Sequence, residues 1–126
     1  MKLKLLFGTF AVAKAQSLAE LPQELWSAEF LTVSKTPDEI SVVYPESIEV
    51  KSANIETGWK AIEVLGPLDF SLVGILSSLL TPLASAKISA SVVSNFNTDF
   101  ILVRSEKFDA TIDVLTGAGH SVSDFN

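Results

Sequence analysis

Between residues 72 and 83, Leu72, Ile75, Leu76, Leu79, Leu80 and Leu83 recur at intervals of three and four, the spacing of one helical face. Such a stripe must bury itself against a sheet, and Pro82 near its end predicts a kink or a stop. Upstream, residues 59–65 alternate, with Ile62 and Val64 on one face. Gly66-Pro67 ends that strand, and Asp69 or Ser71 caps the helix that follows. Downstream, residues 88–94 and 100–104 read as strands on either side of the polar loop Asn95-Phe96-Asn97-Thr98-Asp99. A last helix starts near Ser105, buries Phe108, Ile112 and Leu115, and stops at Gly117-Ala118-Gly119. Val122 then falls in a short final strand.

The first half is less regular. Residues 3–14 supply a strand, Leu21-Pro22-Gln23-Glu24-Leu25-Trp26 starts a short helix with Pro22 in its first turn, and residues 30–35 alternate again. Thr36-Pro37-Asp38-Glu39 is a capping-box sequence, with Glu39 placed to reach back to the Thr36 N–H. Because the β-rich run Ile40-Ser41-Val42-Val43-Tyr44 follows at once, the cap closes a single turn. Polar and turn-forming residues fill positions 45–58, which makes residues 1–58 and 59–126 the two natural halves. From residue 59 the order is β-α-β-β-α-β, the split arrangement of ferredoxin-like α+β domains, and the first half reads as a shortened version. No residue-level repeat links the halves.

Composition narrows the function classes. The 126 residues are 48% hydrophobic and 19% charged, which suits a packed core and argues against disorder. A net charge of −6 makes nucleic acid an unsuitable partner, since that affinity depends on Lys and Arg neutralising phosphates. The absence of cysteine excludes disulfides, zinc thiolates and thiol nucleophiles. The start of the chain, with Lys2, Lys4 and Ala13-Lys14-Ala15, mimics a secretory signal. Its apolar stretch is short, broken by Gly8 and Thr9, and rich in Leu5, Phe7, Phe10 and Val12, so a mature first strand is the better reading. No run reaches the roughly 20 apolar residues that span a bilayer, and a soluble protein without membrane contact is expected.

Several segments together resemble a known family. Glu39-Ile40-Ser41-Val42-Val43-Tyr44-Pro45-Glu46, Gly58-Trp59-Lys60-Ala61, Gly66-Pro67-Leu68-Asp69-Phe70-Ser71-Leu72-Val73-Gly74 and Asn97-Thr98-Asp99 occur in the order seen in tandem ACT-domain proteins. The resemblance is to relatives of the CASTOR-type arginine sensors, especially small bacterial ones, and it covers nearly the whole chain. The opening Lys2-Leu3-Lys4-Leu5-Leu6 also looks like the family start. Tyr44 departs from a cysteine more usual there, and Asn95 from a Ser or Thr. The resemblance implies two ACT-like subdomains in tandem, the first shortened, and a cytoplasmic, non-enzymatic regulatory domain that binds an amino acid or similar effector without a cofactor. ACT modules commonly pair, so it also implies a homodimer.

An amino-acid ligand needs N–H donors for its carboxylate and an acceptor for its ammonium. Gly66, Leu68, Asp69, Phe70, Ser71 and Gly74 surround a helix start whose first N–H groups lack intrahelical partners and sit at its positive end. Asp99 is the candidate for the ammonium, with Asn95, Asn97 and Thr98 as orienting groups and Phe96 beside them. In this strand order both loops open at one end of the sheet. Blander readings stand beside these: Asp69 as a plain N-cap, residues 95–99 as a hairpin turn, Phe70 and Phe96 as packing residues. A structural self-association module without any ligand is the alternative function.

An enzyme would have to use His120, the only histidine, and no nucleophile is placed beside it in the sequence; a turn residue after Gly119 is the simpler reading. No phosphate loop, dinucleotide fingerprint or metal-ligand spacing occurs.

Overall fold

The computed structural model describes residues 1–65 and 74–123. Among these run eight strands, β1 (Lys2–Leu5), β2 (Phe10–Ala15), β3 (Thr32–Lys35), β4 (Ile40–Pro45), β5 (Ile55–Val64), β6 (Ser91–Ser94), β7 (Asp99–Arg104) and β8 (Ser121–Ser123). Two α-helices join them, α1 (Ile75–Ser85) and α2 (Phe108–Gly117). The chain divides into two compact units, Gly8–Trp59 on one hand and Met1–Phe7 with Lys60–Asn126 on the other. Residues 1–7 thus belong with the C-terminal unit, and β5 contributes residues to both.

The Gly8–Trp59 unit orders its strands β3-β4-β2-β5, every neighbouring pair antiparallel. In chain order that is strand two, three, one, four, the ferredoxin-like sequence of a βαββαβ unit. Its first helix is reduced to two 3-10 segments, Leu18–Glu20 and Gln23–Ser27, and residues 46–54 stand where the second would be. The inward face of β2 carries only Ala11, Ala13 and Ala15, and these small side chains leave room for Leu21, Leu25, Val42 and Tyr44 in the core. Leu25 is fully buried. Two expectations change here. The helix over residues 21–26 is 3-10, with Pro22 at the N-cap of its second segment. The strand over residues 3–14 is two strands, parted at Gly8, whose φ of 87° lies in the left-handed region open to glycine.

Thr36 does cap a single turn. Its Oγ1 accepts from the Asp38 and Glu39 N–H groups, each at 3.2 Å, and its own N–H bonds the Glu39 carbonyl at 2.9 Å. The Glu39 carboxylate does not reach back to the cap; it accepts instead from Ser41 Oγ at 2.7 Å. The turn closes the β3–β4 hairpin, in which Lys35 faces Ile40.

The C-terminal unit orders its strands β6-β7-β5-β1-β8. Removing β1 leaves the ferredoxin-like order again, so β1 occupies a slot between the first and last strands of the βαββαβ set. It runs antiparallel to β5, with Leu3 facing Val64, and parallel to β8, with Leu3 facing Val122. The predicted stripe delivers Leu79 and Leu83 to the core, packed with Leu3, Ile62, Val64, Ile101, Val103 and Leu115; Leu72 lies outside the described residues.

Both helices end in the same hydrogen-bond motif. In α1 the Ile88 N–H bonds the Leu83 carbonyl at 2.9 Å and Lys87 N–H the Ala84 carbonyl at 3.0 Å, with Lys87 at φ 61°. In α2 the His120 N–H bonds Leu115 O at 3.1 Å and Gly119 N–H bonds Thr116 O at 3.0 Å, with φ 96° at Gly119. This is the Schellman arrangement, which needs a left-handed residue just past the helix end. Gly119 meets that need without strain, whereas Lys87 meets it against a steric cost.

Candidate functional site

A helix linking two strands in this topology returns the chain, so β6 points the same way as β5. The turn after β6 therefore lies at the end of the sheet where β5 finishes and α1 begins. The β6–β7 hairpin is tight: Asn95 N–H bonds Thr98 O at 2.8 Å, and Ser94 faces Asp99 in the last ladder pair. Across that pair Ser94 Oγ donates to Asp99 Oδ1 at 2.6 Å. Asp99 is half-buried, Asn95 and Asn97 are exposed, and Phe96 is 81% exposed at the tip. A hydroxyl-braced carboxylate thus stands at the sheet end expected from the strand order.

Of the helix-side residues, Gly66, Leu68, Asp69, Phe70 and Ser71 lie outside the described residues. Gly74 is described. It is the N-cap of α1, exposed, at φ 78°, and its carbonyl accepts the Ser78 N–H at 2.9 Å. Its lack of a side chain leaves the first-turn N–H groups of α1 without a side-chain cap at that position.

His120 belongs to the same sheet end and is no plain turn residue. Its ring lies between two elements, with Nε2 3.0 Å from the Ser78 carbonyl in α1 and Nδ1 3.1 Å from the Met1 nitrogen ahead of β1. The Ser121 N–H bonds the Met1 carbonyl at 3.0 Å, and Leu65 N–H bonds Lys2 O at 3.0 Å, which ties the same corner together. Sequence reasoning misses this node, because a contact from His120 to Ser78 is set by tertiary packing. Among the described residues no group of three or more His, Asp or Glu side chains is placed to hold a metal. None of the described helices is long and apolar enough to cross a membrane.

Residues 54–117, which contain β5, α1, the β6–β7 hairpin and α2, match the family model of the ACT domain. The chain belongs to the ACT-domain family. A solved structure from Agrobacterium tumefaciens superimposes on this ACT-domain chain with a TM-score of 0.88 at 32% identity, covering 99% of this chain and 93% of that one. The cytosolic arginine sensor for mTORC1 subunit 1 of Mus musculus is 35% identical over 78 residues, 61% of this chain. Those residues span only 23% of the mouse protein. The regulatory subunit of aspartate kinase from Thermus thermophilus has a TM-score of 0.61 at 9% identity, which bears on the ACT fold alone. The expected ACT fold and its link to the arginine-sensor relatives are both borne out.

Proposed function

We propose that this ACT-domain chain is a non-enzymatic regulatory module that binds an amino acid or a closely similar effector. The observation that carries the reading is the family match over residues 54–117, the stretch that holds the β6–β7 hairpin and α1. The likeness to an arginine sensor supports an amino-acid effector and puts arginine first among the candidates. In this reading Asp99, braced by Ser94, takes the effector's cationic group, and Asn95, Asn97 and Thr98 orient it beside Phe96. The effector's carboxylate meets the N–H groups between Gly66 and Gly74, with Leu68, Asp69, Phe70 and Ser71 around it. The module works in the cytoplasm, as the mouse relative's name suggests for that protein, and pairs as a homodimer.

The test is a thermal-shift screen of the protein against the common amino acids, followed by calorimetric titration. A binder present at 100 times its Kd should add about 2.7 kcal/mol of stability. A flat response to every amino acid, with calorimetry silent as well, would leave the reading without support.

A further inference from the structure

We propose that His120 supplies α1 with the hydrogen-bond donor that Pro82 removes, and so positions the first turn of that helix. In an α-helix the Ser78 carbonyl takes its proton from the residue four positions on, which here is Pro82. Proline has no N–H, and its ring crowds the carbonyl four residues back. That leaves Ser78 O without its helical partner, and His120 Nε2 sits 3.0 Å from this oxygen.

The chemistry of the partners sets the tautomer. A carbonyl only accepts, so Nε2 carries the hydrogen. Nδ1 lies 3.1 Å from the Met1 nitrogen. The ring thus bears a hydrogen on Nε2, with both ring nitrogens engaged. Its backbone is held as well, because the His120 N–H closes the Schellman turn of α2 on Leu115 O. One side chain thus joins the end of α2, the start of β1 and the first turn of α1.

This turn also carries Gly74, whose carbonyl accepts the Ser78 N–H. His120 is in that sense a positioning residue for the helix start assigned to the effector, and this last step alone rests on the proposed function. The donor role stands apart from it.

A thermodynamic cycle with His120→Ala, Pro82→Ala and the double variant tests the donor role by urea denaturation without any effector. Pro82→Ala restores the missing amide, so His120→Ala is expected to lower the folding equilibrium constant about tenfold in the wild-type background and less than twofold beside Pro82→Ala. Equal losses in both backgrounds, or no loss in the wild type, overturn the proposal. Nitrogen-15 spectra of the wild type should show the Nε2–H tautomer; a dominant Nδ1–H form overturns it too.

Hydrogen exchange at the Ser78 amide reads the positioning directly. It should quicken in His120→Ala and recover in the double variant, and unchanged exchange in His120→Ala refutes the positioning role. If the wild type binds no amino acid, the proposed function falls while the cycle and the exchange data still decide this inference.

Discussion

Ser94 and Asp99 close the turn end of the β6–β7 hairpin side chain to side chain, the hydroxyl donating to Oδ1 at 2.6 Å just outside the Asn95–Thr98 backbone bond. The two roles assigned to Asp99, turn former and effector carboxylate, are therefore separable. Asp99→Asn keeps an oxygen for Ser94 to donate to, yet removes the negative charge. It is expected to fold with a near-unchanged melting temperature and to bind a cationic effector at least about tenfold more weakly, or 1.4 kcal/mol. Ser94→Ala should instead cost about 1 kcal/mol of stability through the lost hydroxyl bond. Titration calorimetry showing equal affinity for Asp99→Asn and wild type would confine Asp99 to the turn.

The left-handed Lys87 predicts a stabilising substitution. Lys87→Gly relieves the steric cost at the end of α1 while keeping the Schellman bonds from the amides of residues 87 and 88. The gain should be about 0.5–1 kcal/mol, partly offset by the freer unfolded chain, and Lys87→Ala should gain nothing. Differential scanning calorimetry of the two variants decides it, since a Gly variant no more stable than the Ala variant contradicts the strain argument.

Tyr44 predicts an alkaline limit to stability. Burial first, and the nearby Glu46 carboxylate second, push its phenol above the usual 10.0. An unfolded tyrosine ionises at the ordinary value and the folded one later. The unfolded state therefore releases its proton first, and stability falls as pH rises from 10.0 to the folded value. Tyr44→Phe should remove that part of the decline, seen as a smaller loss of stability between about pH 9 and pH 11. Identical pH slopes in wild type and variant would count against it.

The core stripe of α1 makes a volume prediction. Leu79 is fully buried beside Leu3, Ile62 and Leu115. Leu79→Ala should cost about 2–5 kcal/mol, and the volume-conserving Leu79→Met less than about 1.5 kcal/mol. Chemical denaturation measures both, and a small cost for the alanine variant would mean the site collapses or Leu79 is not core.

The elements most legible in the sequence are those whose signal is local. Leu79 and Leu83 fall at helical spacing, and the turn-forming residues 95–98 sit between two β-rich runs, so spacing and turn chemistry alone place α1 and the β6–β7 hairpin. The last helix and β8 follow from Gly119 and Val122. The break at Gly8 is less visible, because β-formers continue on both sides and only the strands' partners separate β1 from β2. Residues 18–27 form 3-10 turns in a segment with Pro22 and few helical repeats, too short for periodicity to define. At the site, Asp99 is legible as a polar loop residue, whereas its Ser94 partner sits within a predicted strand. The Ser78 contact of His120 depends on packing across the unit, and residues 66 and 68–71 stand outside what the structure describes.

The position of β1 has a kinetic side. Leu3 pairs with Val64 and Val122, roughly 60 and 120 residues further along the chain, so an early strand waits for a late one. Until β8 emerges from the ribosome, β1 presents an unpaired edge that carries Leu3 and Leu5. A fragment of residues 60–126 lacks the strand that joins β5 to β8, and it should stay soluble and folded only when a peptide of residues 1–7 is supplied, a complementation visible by circular dichroism.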